Sequence, residues 1–291
     1  MKPTYHCIPC HVNHMYRIIS QLSPDDDKAH SIMQQLTLII AKNRYGTPPD
    51  CAYELYKTIK ELTGIDDPFA TVKQQNNDIM LSLMPQLQSM INADEPIKQA
   101  LRISLVGNII DYGIGDVDYS GYLKKFQDLV HDIDIPDKFY NQFTASVVNA
   151  KKILFIGDNA GEIVADKLLV EKLNHDNITF VVRGGAVIND ATIDDAQYVG
   201  LNKIVKIVTT GDRTPGINLQ RSGKDFLHEL LHADMIIAKG QGNFETMIDA
   251  SLQDFVKPGV KVFFLFKIKC IPVAEYIQKK VGDNTFVIRE L

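Results

Sequence analysis

Residues 152–162 read KILFIGDNAGE. Four apolar residues, Ile153 to Ile156, end at Gly157, and from Ile163 to Leu173 apolar residues recur at helical spacing. A short continuous apolar run followed by an amphipathic stretch is a buried strand leading into a helix. The same alternation repeats to the end of the chain. Ile178 to Val182 stops at Arg183-Gly184-Gly185, Ile204 to Val208 at Thr209-Thr210-Gly211, and Met235 to Ala238 at Lys239-Gly240. Val260 to Phe266 is a fifth run and Thr285 to Ile288 a sixth. Between them lie helical patterns at Asp194 to Val199, Phe226 to Leu231, Phe244 to Phe255 and Val273 to Lys280. Continuous apolar strands separated by helices predict an α/β fold, a mostly parallel sheet with helices on both faces. Such sheets bind ligands beyond the carboxyl ends of their strands, where this chain places its glycines and polar residues.

Upstream of about residue 150 the period is helical throughout. Ile18, Ile19 and Leu22, then Ile32, Met33, Leu36, Ile39 and Ile40, form stripes, and Ala52 to Leu62 and Ile79 to Ile91 read the same way. Ser23-Pro24-Asp25 is a helix start. Leu101 to Tyr112 reads as a helix stopped by Gly113 and Gly115. The expected organisation is therefore an all-helical domain over 1–150 and an α/β domain over 151–291.

Composition narrows the function classes. The 291 residues carry a net charge of −5, with no basic excess or cluster of the kind phosphate-backbone binding uses. Nucleic acid is thus not an expected partner. No apolar run reaches the ~18–20 residues of a membrane span, and MKPTYHCIPC has no apolar core of a secretory signal. Four cysteines are too few for a disulfide scaffold. A cytoplasmic protein with no membrane contact is expected, and the sequence does not fix an oligomeric state.

The strand ends carry the chemistry. Asp158 and Asn159 offer a carboxylate and an amide oxygen, hard donors suited to Mg²⁺ or Mn²⁺. The same pair equally suits a helix cap. In Arg183-Gly-Gly-Ala-Val-Ile-Asn-Asp190-Ala-Thr192, Arg183 suits a bidentate grip on phosphate, and Asp190 would complete a metal site. The plain alternatives are a cap and a surface ion pair. Lys239-Gly240-Gln241-Gly242-Asn243-Phe244-Glu245 offers consecutive backbone N–H groups for an anion. It lacks the Gly-Lys-Ser/Thr of a Walker A loop and the dinucleotide glycine spacing, and a tight turn is its ordinary reading. Lys269 stands at the end of the fifth strand, placed to neutralise a phosphate oxygen or simply solvated. Asn108 and Asp111, spaced i, i+3, share a helix face that suits a cleft or a helix end. Cys7-Ile-Pro-Cys10, with His11 and His14, suggests redox chemistry or half a zinc site, joined in space by Cys51 or Cys270. Its spacing is too cramped for a zinc finger, which favours a structural or incidental role. Four clusters at strand ends point to one site rather than to independent caps and turns.

These blocks resemble the damage-control phosphatase family, also catalogued as domain of unknown function 89, in its prokaryotic branch with an N-terminal Cys-x-x-Cys. The likeness rests on CIPC at 7–10, GNIIDYG at 107–113, GDNAGE at 157–162, RGGAVINDAT at 183–192, KGQGNFE at 239–245 and KIKCIPV at 267–273. It implies a helical N-terminal domain packed on a Rossmann-like three-layer α/β domain. It implies a metal-dependent phosphomonoester hydrolase acting on small phosphorylated metabolites, sugar phosphates or damaged phosphometabolites. One divalent ion (Mn, Co, Ni or Mg) would sit on Asp158, Asn159 and Asp190. The substrate loop would be Gln241 to Glu245 and Lys269 would contact the phosphate. Beyond the resemblance, the expected mechanism adds the loop amides from Gly240 onward as charge stabilisers and leaves Asp158 and Glu162 as alternatives for orienting the attacking water. Eukaryotic members carry an acidic residue and an arginine in that loop, where this chain has Gln241 and Glu245, so their substrate range does not carry over. Two rivals stand beside this reading. One is a non-catalytic phosphometabolite-binding module. The other is an S-adenosylmethionine-dependent methyltransferase, for which the loop lacks spaced glycines and the second strand ends in Arg183 instead of an acid.

Overall fold

A computed structural model describes residues 1–22, 25–91, 94–107 and 119–291. The chain opens with α1 (Cys7–Leu22), α2 (Asp26–Lys42), α3 (Pro48–Thr63), α4 (Ala70–Ser89), α5 (Pro96–Val106), α6 (Tyr119–Asp132) and α7 (Asp137–Asn149). Local chemistry sets their ends. The Asp25 carboxylate accepts from the N–H of Asp27 and Lys28 at the start of α2. Thr47 and Asp50 form a reciprocal capping box at α3, which ends on the left-handed Gly64 (φ 74°).

From residue 153 the chain alternates: β1 (Ile153–Ile156), α8 (Glu162–Leu173), β2 (Ile178–Val182), α9 (Ile193–Tyr198), β3 (Lys206–Thr209), α10 (Lys224–His232), β4 (Met235–Lys239), α11 (Gln241–Met247), β5 (Lys261–Lys267), α12 (Ile271–Ile277) and β6 (Asn284–Glu290). The sheet order is β3-β2-β1-β4-β5-β6. β1 to β5 are mutually parallel, and β6 runs antiparallel to β5. This is the α/β fold with a mostly parallel sheet that the sequence predicts. Strand order reverses between β1 and β4, so their carboxyl ends flank the crevice where such sheets bind ligands.

β1, β2 and β4 are buried along their whole length, which is why they read as unbroken apolar runs. Side chains alternate between faces. Ile153, Phe155, Phe180 and Phe263 join Leu168 of α8, Leu101 of α5 and Phe143 of α7. Leu154, Ile156, Ile236 and Phe264 join Phe226, Phe244 and Val273 on the opposite face. The first cluster runs across residue 150, so α4, α5 and α7 share a core with the sheet. By contrast, α1 to α3 have their own cluster, which reaches Val187 in the β2–α9 loop.

Several boundaries differ from the periodicity. The third strand starts at Lys206, because Leu201–Lys203 form a 3-10 turn and Ile204 is exposed. The pattern over 244–255 splits into α11, which begins at Gln241, and a 3-10 turn at Ala250–Phe255. Ser23, Pro24, Asn108, Asp111, Tyr112, Gly113 and Gly115 lie outside the described residues. Among the described residues, no helix is long and apolar enough to cross a membrane.

Candidate active site

The site is built where the loops after β1, β2 and β4 meet. The first two are stitched by backbone: Ala160 N donates to Asn189 O at 2.9 Å and Ala191 N to Asp158 O at 2.8 Å, around a bridge between Asn159 and Asp190. Asp158, Asn159 and Asp190, 32 positions apart at the extremes of the sequence, are thereby neighbours. The third loop lies directly on them. Gly240 has φ 82° and ψ 153°, and a Cβ there would fall 2.1 Å from the Asp158 carboxylate. Only glycine permits that approach.

Neither Asp158 nor Asp190 is spent on a cap. The N-cap of α8 is Gly161, with no side-chain bond, and its N–H donates to Asn77 Oδ1 at 2.6 Å. At α9 the cap is Thr192, whose N–H and hydroxyl both donate to Asp195. The two aspartates are instead buried against each other. Burial, then Asp190 and Glu162, push the Asp158 carboxyl up to about 8, against the pull of Lys269 and Arg183. Asp190 is also raised, by burial, although Arg183 opposes it.

Around this pair the side chains are tightly committed. Arg183 is fully buried; its Nε donates to Asp190 Oδ2 at 2.5 Å and its Nη2 to Asn243 Oδ1 at 3.0 Å. The same Nη2 lies 3.7 Å from Asp158 Oδ1 as an ion pair. Its Nη1 is buried and has no partner among the described residues. Asn243, completely buried, donates to Lys239 O at 2.6 Å and Gly157 O at 3.2 Å, tying the β4 loop to the β1 loop. Gly242 packs on the Pro215 carbonyl, which a Cβ would approach to 2.2 Å. Gln241 joins the opposite rim: its Oε1 accepts from Lys269 N at 2.7 Å, and its amide reaches Glu245 Oε1 and Cys270 Sγ, both at 3.3 Å. Lys269 is exposed, and its charge acts on Asp158, Asp190 and Glu245. Burial pushes Glu245 up to about 7.

Residues 4–285 match the Damage-control phosphatase ARMT1-like domain. The chain belongs to that family. A damage-control phosphatase of Archaeoglobus fulgidus is 31% identical over 290 residues, covering 97% of this chain and 98% of the relative. One from Pyrococcus horikoshii is 30% identical over 293 residues, covering 97% and 96%. The crystal structure of a family protein from Pyrococcus horikoshii superposes with a TM-score of 0.87 at 29% identity, covering 98% of both chains.

Behind the strand-end blocks stand residues to which the sequence pattern assigns no role. Lys239 is completely buried, and its ammonium donates to Glu162 Oε1, Asp166 Oδ1 and Ser104 O at 2.7, 2.6 and 2.9 Å. A lysine closing an apolar strand is the signal that could have announced it. Asn77 and Asp166 carry no local signal, since their partners lie 84 and 73 positions away.

A hard cation suits the triad, because two buried, mutually repelling carboxylates sit beside an amide oxygen. The Asn159 amide nitrogen donates to Asp158 Oδ2 at 2.6 Å and Glu162 Oε2 at 3.0 Å, while its Oδ1 accepts nothing among the described residues. No three His, Cys, Asp or Glu side chains group as metal ligands among the described residues. The donor set here is two aspartates and an asparagine.

The cysteines converge too. Cys7 and Cys10 stand in the first turn of α1. Burial and then other causes, Cys7 among them, raise the thiols of Cys10, Cys51 and Cys270. All four are free thiols. His14 bonds the Tyr56 hydroxyl at 2.8 Å and is lowered to about 4 by burial, so its imidazole is neutral at pH 7.

Proposed function

We propose that the protein is a metal-dependent phosphatase that hydrolyses monoesters of small phosphorylated metabolites, sugar phosphates or damaged phosphometabolites. Family membership supports phosphatase chemistry. The observation that carries the finer reading is the convergence of Asp158, Asn159 and Asp190 at the β1/β4 crevice, with the exposed Lys269 acting on both aspartates.

Asp158, Asn159 Oδ1 and Asp190 would hold one divalent cation, Mn²⁺, Co²⁺, Ni²⁺ or Mg²⁺. Such an ion supplies Lewis-acid polarisation of the phosphoryl oxygens and neutralises charge on them. The chain's own residues do the rest. Lys269 approaches the phosphoryl group from the β5 end and stabilises the negative charge that spreads over its oxygens. Arg183 holds Asp190 in place and presents Nη1 inward. Glu162 has both oxygens occupied, by Lys239 and by Asn159. Of the two carboxylates, Asp158 is the one with an oxygen, Oδ1, that accepts no hydrogen bond among the described residues. Glu245, with its carboxyl near 7, is able to exchange a proton at neutral pH on the same rim.

The test is phosphate release from a panel of sugar phosphates and an aryl phosphate. It uses EDTA-stripped protein with and without each of the four metals, beside Asp158→Ala. Metal-dependent release that the variant loses is the expected result. Release unaffected by EDTA, or retained in the variant, refutes the reading. Binding of a phosphometabolite without turnover under any metal would turn it into the binding module.

A further inference from the structure

Lys239 occupies a place that an apolar side chain would fill at less cost. Its ammonium is sealed between Glu162 and Asp166, both buried, and the α5 carbonyl of Ser104. Buried ion pairs seldom outperform well-packed apolar substitutes in stability. The geometry that this one fixes is directional. Glu162 Oε1 is taken by Lys239, which turns Oε2 onto the Asn159 amide at 3.0 Å. That amide nitrogen also donates to Asp158 Oδ2 at 2.6 Å. With both donors facing carboxylates, Asn159 Oδ1 is directed to the opposite side, toward the crevice. Without this hold only the Asp158 bond resists a flip that presents the NH₂ group, which repels a cation.

We propose that Lys239 is a positioning residue that acts through Glu162 to fix the orientation of the Asn159 amide, so that Oδ1 is the atom offered to a divalent cation. For that consequence the inference rests on the metal reading above. The Ser104 carbonyl makes α5 part of the same hold, so the helical half of the chain contributes to the orientation of a strand-end ligand. Partners that orient metal ligands in this way are typically worth about 10- to 100-fold in metal affinity.

Two isosteric variants separate orientation from charge. Glu162→Gln and Asp166→Asn each remove one buried negative charge beside Lys239. Glu162 has donors on both oxygens, so its amide replacement must set a donor against either Lys239 or Asn159. Asp166 receives Lys239 and the Ser104 hydroxyl on Oδ1 alone, and its Oδ2 has no partner among the described residues. Its amide replacement keeps both bonds and never touches Asn159. Mn²⁺ affinity, measured by calorimetric titration of EDTA-stripped protein, should fall about 10- to 100-fold in Glu162→Gln and stay within about 3-fold in Asp166→Asn. Lys239→Met should match Glu162→Gln where it folds. In metal-free protein, the Asn159 side-chain NH₂ signals in nitrogen-15 NMR should keep their exchange protection in wild type and Asp166→Asn and lose it in Glu162→Gln. Equal losses in the two isosteric variants, or unchanged affinity and protection in Glu162→Gln, would overturn the proposal. The NMR comparison needs no metal. If wild type binds no Mn²⁺ yet the protection pattern holds, the metal reading fails and the positioning role of Lys239 survives.

Discussion

Replacing Gly240 with alanine places a methyl group where the Asp158 carboxylate already lies. The backbone at Gly240, φ 82° and ψ 153°, belongs to a region that side chains rarely enter, at a cost of about 1–3 kcal/mol. A Cβ there falls 2.1 Å from both Asp158 Cγ and Oδ2. That overlap can be relieved only by moving the carboxylate or the loop. Moving the carboxylate breaks its 2.6 Å bond from Asn159, and leaving such a buried bond unmade costs about 1–3 kcal/mol. Together the two effects amount to about 2–6 kcal/mol, a large part of the ~5–15 kcal/mol that holds a typical domain folded. Gly64 is the control. It also has positive φ, 74°, but a Cβ there would meet nothing within 4 Å, so Gly64→Ala should cost only about 1–2 kcal/mol. Urea unfolding of wild type and both variants measures the difference, and Mn²⁺ titration of the same samples reads the site. Gly240→Ala should be the less stable variant by about 1 kcal/mol or more and should lose Mn²⁺ binding, while Gly64→Ala binds normally. Equal stability losses, with metal binding intact in Gly240→Ala, would refute the close packing of the β4 loop on Asp158.

Lys269→Ala should lower kcat/KM for metal-dependent phosphate release by about 100-fold or more, while the unfolding free energy changes by less than ~0.5 kcal/mol, because the side chain is exposed; steady-state kinetics and urea unfolding check the two halves. Asp158 titrates near 8 in the folded chain and near 4 when unfolded, so its neutral form favours the metal-free fold at low pH and that contribution is lost as pH rises from about 4 through about 8. Thermal unfolding of EDTA-stripped protein should show this decline, Asp158→Asn should flatten it, and wild-type Mn²⁺ affinity should rise over the same interval as the site gives up its proton. Phe263 of β5 stacks edge-on against Phe139 and Phe143 of α7 at 5.6 and 5.3 Å; Phe263→Ala should cost about 3–5 kcal/mol and, since the core is shared, still unfold in one calorimetric transition.

Much of the architecture is legible in one dimension. β1, β2 and β4 announce themselves because parallel strands covered on both faces have no solvent side to alternate with. The same periodicity locates α8 within one residue. It fails at β3, where the exposed Ile204 belongs to a turn, and at α11, which starts on the polar Gln241 because its N-terminus lies in the crevice, away from the core. Asp158, Asn159, Asp190, Gln241 and Lys269 are likewise visible in the sequence, because the carboxyl end of a parallel strand is a place that sequence marks with glycine and polar residues.

What each of those residues does is a tertiary matter. Arg183 reads as a phosphate grip, yet its side chain is buried against Asp190 and Asn243. Glu162 reads as one of two residues that could orient the attacking water, yet both its oxygens are held. Sequence alone determined that polar and glycine residues cluster at the strand ends, that the fold is α/β and which family the motifs resemble, because those follow from local periodicity and composition. Only the folded chain decided that Lys239, Asp166 and Ser104 stand behind Asn159, because hydrogen-bond partners 62 to 135 positions apart meet through packing that no local pattern encodes.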